Sequence, residues 1–168
     1  PLIYEYFGLI DQEIALVEDT CEILQESITP DSLDNSDGIR EPINEKAIQD
    51  YAQTLVQTLS GWMLADSKIY INAICRIHQE LGLAGVELIQ SKKPTAIKVE
   101  VMSDEEALAY TQLESVAIEE RGSLHYLRAV RLFDGKHIRV YKPAKLGFWM
   151  RSTAINDAAA RYAEIIQA

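Results

Sequence analysis

Long apolar runs are missing from this chain. No stretch of its 168 residues approaches the ~20 needed to span a bilayer, so no membrane partner is expected. A basic-then-apolar leader is missing too. Cysteine is scarce, with only Cys21 and Cys75. Both fall on apolar faces, one in an apparent helix and one in an apparent strand. A free thiol there acts as a small hydrophobe, so two buried thiols, no disulfide and a cytoplasmic location are expected. The chain opens at Pro1, directly in a patterned segment, and reads as a piece of a longer protein.

Catalytic motifs are also missing. Gly82-Leu83-Ala84-Gly85 has the wrong spacing for a phosphate or dinucleotide loop, and no lysine follows in the Walker position. There is no Gly-x-Ser-x-Gly elbow. His78, His125 and His137 have no Cys or carboxylate at metal-ligand spacing, and each reads as a structural or surface histidine. The string from Val86 to Gln90, with Lys92 and Lys93 beyond, hints at a nuclease strand. Such a site wants a lysine two residues after its carboxylate, and position 89 is Ile89, so the hint is discounted. No catalytic residue, no metal ligand and no bound cofactor is expected in this piece.

What is present is one concentrated basic element on an acidic body. The whole chain carries −10. Between Arg121 and Arg151 there are eight Lys/Arg and one acid, Asp134, giving +7 and leaving −17 for the remainder. A charge placed so unevenly is a feature and not background. The stretch Leu124 to Arg151 contains two alternating runs around Asp134-Gly135, a strong hairpin signal. A two-residue Asp-Gly turn would pair Phe133 with Lys136, Arg131 with Ile138, Val130 with Arg139 and Arg128 with Tyr141, and would give Gly135 a positive φ. The core side then carries Leu127, Ala129, Phe133, Ile138 and Val140. The outer side carries Tyr126, Arg128, His137, Arg139 and Tyr141, mixed with Val130 and Leu132. The arginines can serve a partner, or pair with the acidic helices around them.

Around the hairpin, hydrophobic periodicity outlines the rest. A helix follows Asp11 as cap, burying Ile14, Val17, Cys21 and Leu24. Residues 27–43 read as a loop. A second helix starts at Asn44, with an inner stripe of Ile48, Tyr51, Leu55, Leu59 and Trp62. Three strands follow: Lys68 to His78, Val86 to Gln90, and one through Ile97, Val99 and Val101. Gly82 and Gly85 bracket the turn between the first two. Ser103 and Glu106 form a capping box that opens a helix to about Glu120. The last helix starts near Ser152, buries Ile155, Ala158, Tyr162 and Ile165, and spaces Asp157 and Arg161 for an ion pair. With 48% hydrophobic and 25% charged residues, an ordinary core is expected. The fold class is α+β, a mostly antiparallel sheet of about five strands packed with about four helices. Two parts are expected: a helical arm and linker over 1–43 and an α+β domain over 44–168.

The opening stretch Ile3-Tyr4-Glu5-Tyr6-Phe7-Gly8-Leu9-Ile10-Asp11-Gln12-Glu13-Ile14-Ala15-Leu16-Val17-Glu18 resembles a segment found late in type II adenine-specific DNA methyltransferases of restriction-modification systems: Tyr-x-x-Tyr-Gly-Leu-Thr-x-Glu-Glu-Ile-x-Leu-Val-Glu. Tyr4, Gly8, Leu9, Glu13, Ile14, Leu16, Val17 and Glu18 match. Phe7 replaces the usual tyrosine and Ile10 the usual capping Thr or Ser. The match covers under a tenth of the chain. A second resemblance is at the close, where Lys142-Pro143, Trp149, Ala154 and Asp157-Ala158 look like endings of other DNA-modification or restriction-associated proteins. The first resemblance implies a parent enzyme that methylates adenine with S-adenosylmethionine through an Asn-Pro-Pro-Tyr motif and an upstream glycine-rich motif. Neither is here, and the five prolines (1, 30, 42, 94, 143) are never adjacent. This piece would then be a non-catalytic C-terminal accessory domain, positioning DNA through Arg128, Arg139, Tyr141, Lys142, Lys145 and Arg151. Four such phosphate contacts would give a log–log salt slope of roughly −3.6. Its partners would be DNA, through the parent enzyme, and the catalytic domain of the same chain. The alternative is a protein-interaction or structural module that docks another domain of the parent.

Overall fold

A computed structural model describes residues 2–24, 38–63, 69–121, 129–134 and 137–167. The chain divides into two compact units, Pro1–Met63 with Lys145–Ala168, and Leu64–Ala144. The cuts fall after residues 63 and 144. By sequence, the first unit holds five Lys/Arg against fifteen Asp/Glu and the second eleven against eleven, so the entire −10 belongs to the first.

The first unit is helical. Helix α1 (Leu2–Phe7) stops at Gly8, whose φ of 64° only glycine adopts without strain. Helix α2 (Asp11–Asp19) begins one residue earlier than an Asp11 cap would allow. Its cap residue is Ile10, which has no side-chain oxygen to offer; instead the Glu13 carboxylate reaches back to the Ile10 N–H at 3.0 Å. The chain then widens into a π-helical turn over Thr20–Leu24. A wider turn moves later residues off a 3.6-residue stripe. The face that α2 buries is Ala15 and Asp19, not Ile14 and Val17, and Cys21, in line with Ile14 and Val17, is exposed, contrary to the expected buried thiol.

Helix α3 (Glu45–Trp62) follows its sequence pattern closely. The Asn44 side chain accepts the Ala47 N–H at 2.9 Å, and Ile48, Tyr51, Leu55 and Leu59 are fully buried. Trp62 is half-buried, edge-on to Tyr162. Helix α5 (Arg151–Gln167) buries Ala154 and Ala158, while Ile155 is only half-buried. Trp149 sits beneath it with 1% exposure, edge-on to Tyr51, whose hydroxyl donates to Asp157. The side chains of Ile165 and Arg161, and with Arg161 its expected pair with Asp157, lie outside the described residues.

The second unit is a five-stranded sheet with one helix. Strands β1 (Tyr70–His78), β2 (Leu83–Ser91), β3 (Lys98–Val101), β4 (Val130–Asp134) and β5 (His137–Pro143) stand in the order β3-β1-β2-β5-β4. Every pair is antiparallel except β1 with β3. The α+β class, mostly antiparallel, is as expected. The turn before β2 is Gln79–Gly82, with Gly82 at φ 58°, and Gly85 belongs to β2 instead of bracketing the turn.

The hairpin exists with a different register. Phe133 pairs with Ile138 and Asp134 with His137, so Arg131 faces Val140 and Val130 faces Tyr141. This is a shift of two positions from the Asp-Gly count, which preserves the faces because side chains alternate with period two. Asp134 ends its strand, leaving Gly135 and Lys136 to connect. Those two residues, and with them the expected positive φ of Gly135, lie outside the described residues.

Helix α4 (Asp104–Arg121) starts at Ser103, whose hydroxyl accepts the Glu106 N–H at 3.2 Å. It covers the side of the hairpin expected to face outward. Tyr141 is 4% exposed, clustered with Leu83, Met102, Ala107 and Tyr110, and Val130 and Leu132 pack against them. The arginines made that side look solvated; the tyrosine, valine and leucine between them supply an apolar surface that the helix buries.

Candidate functional site

The charged residues of the sheet unit converge on Glu87, in the middle of β2. Glu87 lies opposite Ile74 on β1 and Arg139 on β5, so alternation puts Arg76, His137, Arg139 and Tyr141 on its face. The carboxylate is 5% exposed. Arg76 Nη1 meets one oxygen at 2.9 Å; Arg139 Nε and His137 Nδ1 meet the other at 2.9 and 3.0 Å. Burial pushes the Glu87 pKa up, but the hydrogen bonds from Arg76, Arg139 and His137 outweigh it and bring it from 4.5 down to about 2.

From Arg76 the network runs on to Glu100 at 3.6 Å and Glu106 at 3.8 Å. Glu106 accepts the Tyr141 hydroxyl at 2.7 Å, so the second half of the expected capping box is diverted into the sheet. Burial, then this bond to an anion, raises the Tyr141 pKa well above the usual phenol value. Tyr141 in turn depends on Gly85. A Cβ there would stand 2.8 Å from the ring, so the glycine is what lets the tyrosine lie across β2.

Chemically this is a set of fixed counter-ions. A carboxylate with a pKa near 2, held by two guanidinium groups, neither gives nor takes a proton at neutral pH. His78, at the end of β1, ties the strand to α4: Nε2 is 2.8 Å from Asp104, and Nδ1 accepts the Leu81 N–H at 3.2 Å, which places the ring proton on Nε2. Burial pushes the Cys75 thiol up to about 12, which keeps it protonated and unreactive. Among the described residues no group of three or more His, Cys, Asp or Glu is placed to hold a metal ion.

The six residues expected to meet DNA are divided between the two units, and within the sheet unit the described ones do not share a face. Arg128 lies outside the described residues. Arg139 and Tyr141 share a face and are held by Glu87 and Glu106. Lys142 points to the opposite face and is 2% exposed. Lys145 and Arg151 belong to the acidic helical unit, where Lys145 is exposed and Arg151 Nη1 lies 2.7 Å from Glu18. Sequence reasoning missed Glu87, Arg76 and His137 as a cluster. The available signal was a single acid inside the apolar run of β2, since a buried charge requires partners.

The resembling segment has a local structural meaning. Gly8 ends α1, Glu13 caps α2, and Glu18 fixes Arg151 at the start of α5, where the Asp19 carboxylate accepts the Ser152 N–H at 2.7 Å. No described helix is long and apolar enough to cross a membrane. Comparison with protein families, curated proteins and solved structures finds no match to the chain.

Proposed function

We propose that the chain is a non-catalytic accessory module of a DNA-modification methyltransferase and that it holds another domain of the parent enzyme. The methyltransferase link comes from the resembling segment, Tyr4 to Glu18. The observation that favours docking over DNA contact is the internal pairing of the hairpin: Arg139 and Tyr141 are bound to buried or half-buried carboxylates of their own unit. A guanidinium held this way through Nε has only its terminal nitrogens left for a phosphate, and the carboxylate beside it repels one. S-adenosylmethionine belongs to the parent's catalytic part in this reading, and this chain holds no cofactor.

DNA positioning is the second reading, favoured by Lys145, the one exposed cation among the described members of the expected set. The two separate on the parent enzyme with and without residues 1–168. Docking predicts a lower melting temperature on removal, with KM for DNA changed by less than about twofold. DNA positioning predicts the reverse: KM for DNA rises about tenfold or more while the melting temperature holds. That second outcome would overturn the docking role.

A further inference from the structure

Helices α1 and α2 expose an unusual amount of large apolar surface. Leu2 is 83% exposed, Ile3 67%, Tyr6 84%, Phe7 69%, Ile10 59% and Leu16 56%. No residue of α1 is buried. Apolar side chains gathered this densely mark a contact surface, whereas single exposed ones are ordinary. Charge narrows the occupant. Residues 1–24 contain six acids and no Lys or Arg, and their unit carries the whole −10.

We infer that this surface docks a protein face that is apolar at its centre and edged with lysine or arginine. The inference rests on the docking role proposed above and specifies its partner. A second copy meeting the first through the same surface would set Glu5, Asp11 and Glu22 against their own counterparts, which repels. A basic rim instead neutralises Glu5, Asp11 and Glu22 while the apolar residues leave water together.

The probe is a pair of labelled amphipathic helical peptides with the same leucine spacing, one with lysine and one with glutamate at every polar position. Binding to the 168-residue chain is read by fluorescence anisotropy. The lysine peptide should bind and the glutamate peptide should not. Tyr6→Ser with Phe7→Ser, which changes no charge, should weaken the lysine peptide about tenfold. Should circular dichroism show that this pair perturbs α1, Leu16→Ser on α2 makes the same test. Unchanged affinity in the serine variants would mean that charge alone binds the peptide, and equal binding of both peptides would remove the basic rim; either result overturns the proposal. A dimer in sedimentation that the serine pair dissolves would overturn it in favour of a second copy. Failure of the docking role has its own readout in the parent's KM and melting temperature, so the two failures are distinguishable.

Discussion

Glu87 ties β2 to both neighbouring strands through Arg76, His137 and Arg139. Its pKa falls from 4.5 to about 2 on folding. A depressed carboxyl contributes stability that is complete above its unfolded value and is lost as pH falls through the folded one. The chain should therefore lose about 3 kcal/mol from this group between about pH 4.5 and pH 2. Glu87→Gln should cost a similar amount at pH 7, about 3 kcal/mol, because Arg139 and His137 lose their anion while Arg76 keeps Glu106 within reach. Urea midpoints measured across that acid range should flatten in the variant; an unaltered pH profile would mean that Glu87 carries no such coupling. Gly85→Ala tests packing in place of charge. The added methyl would meet the buried Tyr141 ring at 2.8 Å, so a loss of about 1–3 kcal/mol is expected in the same denaturation assay.

At the scale of elements, helix starts are the most local features and the easiest to compare. Asn44 makes the side-chain cap of α3, whereas Asp11 sits inside the first turn of α2 and caps nothing. Asn44→Ala should lower stability by about 1 kcal/mol. Asp11→Ala should stay within about 0.5 kcal/mol, as surface changes do. Thermal melts of the two variants check the contrast, and equal effects would contradict the assigned cap. The hairpin shows the opposite kind of element, one whose partners decide it. Its Asp-Gly signal located the reversal, yet the register belongs to the full sheet, where β5 is also paired along β2 from Leu83 to Ile89. A strand held on both edges cannot choose its pairing from the turn alone.

For the whole molecule the distribution of charge matters more than its total. The sheet unit is neutral and the helical unit carries −10, so the basic stretch is balanced where it lies. Four free cations would give a salt slope of roughly −3.6, while Lys145, the exposed one among the described members of the expected set, gives about −0.9. Titration of duplex DNA with the chain across a salt series should return the shallower value, with no saturable binding near about 0.15 M salt. A slope near four ions would return the hairpin to the DNA surface.

The strand alternation of β1, the inner stripe of α3, the helix starts at Asn44 and Ser103 and the α+β class were all legible in the sequence. Each depends on neighbours a few residues away, which periodicity and capping chemistry record directly. The helix around Cys21 was legible as well, but which of its faces is buried, Ala15 and Asp19 in place of Ile14, Val17 and Cys21, was not. The candidate site could not be read, because Arg76, Glu87, Glu106 and Arg139 are far apart in the chain and meet only once three strands and a helix are in register. Only the tertiary structure decided that these charges would satisfy one another. In the sequence an arginine on a hairpin looks free for a partner; in the folded unit a buried carboxylate, costly to leave unpaired, has already claimed it.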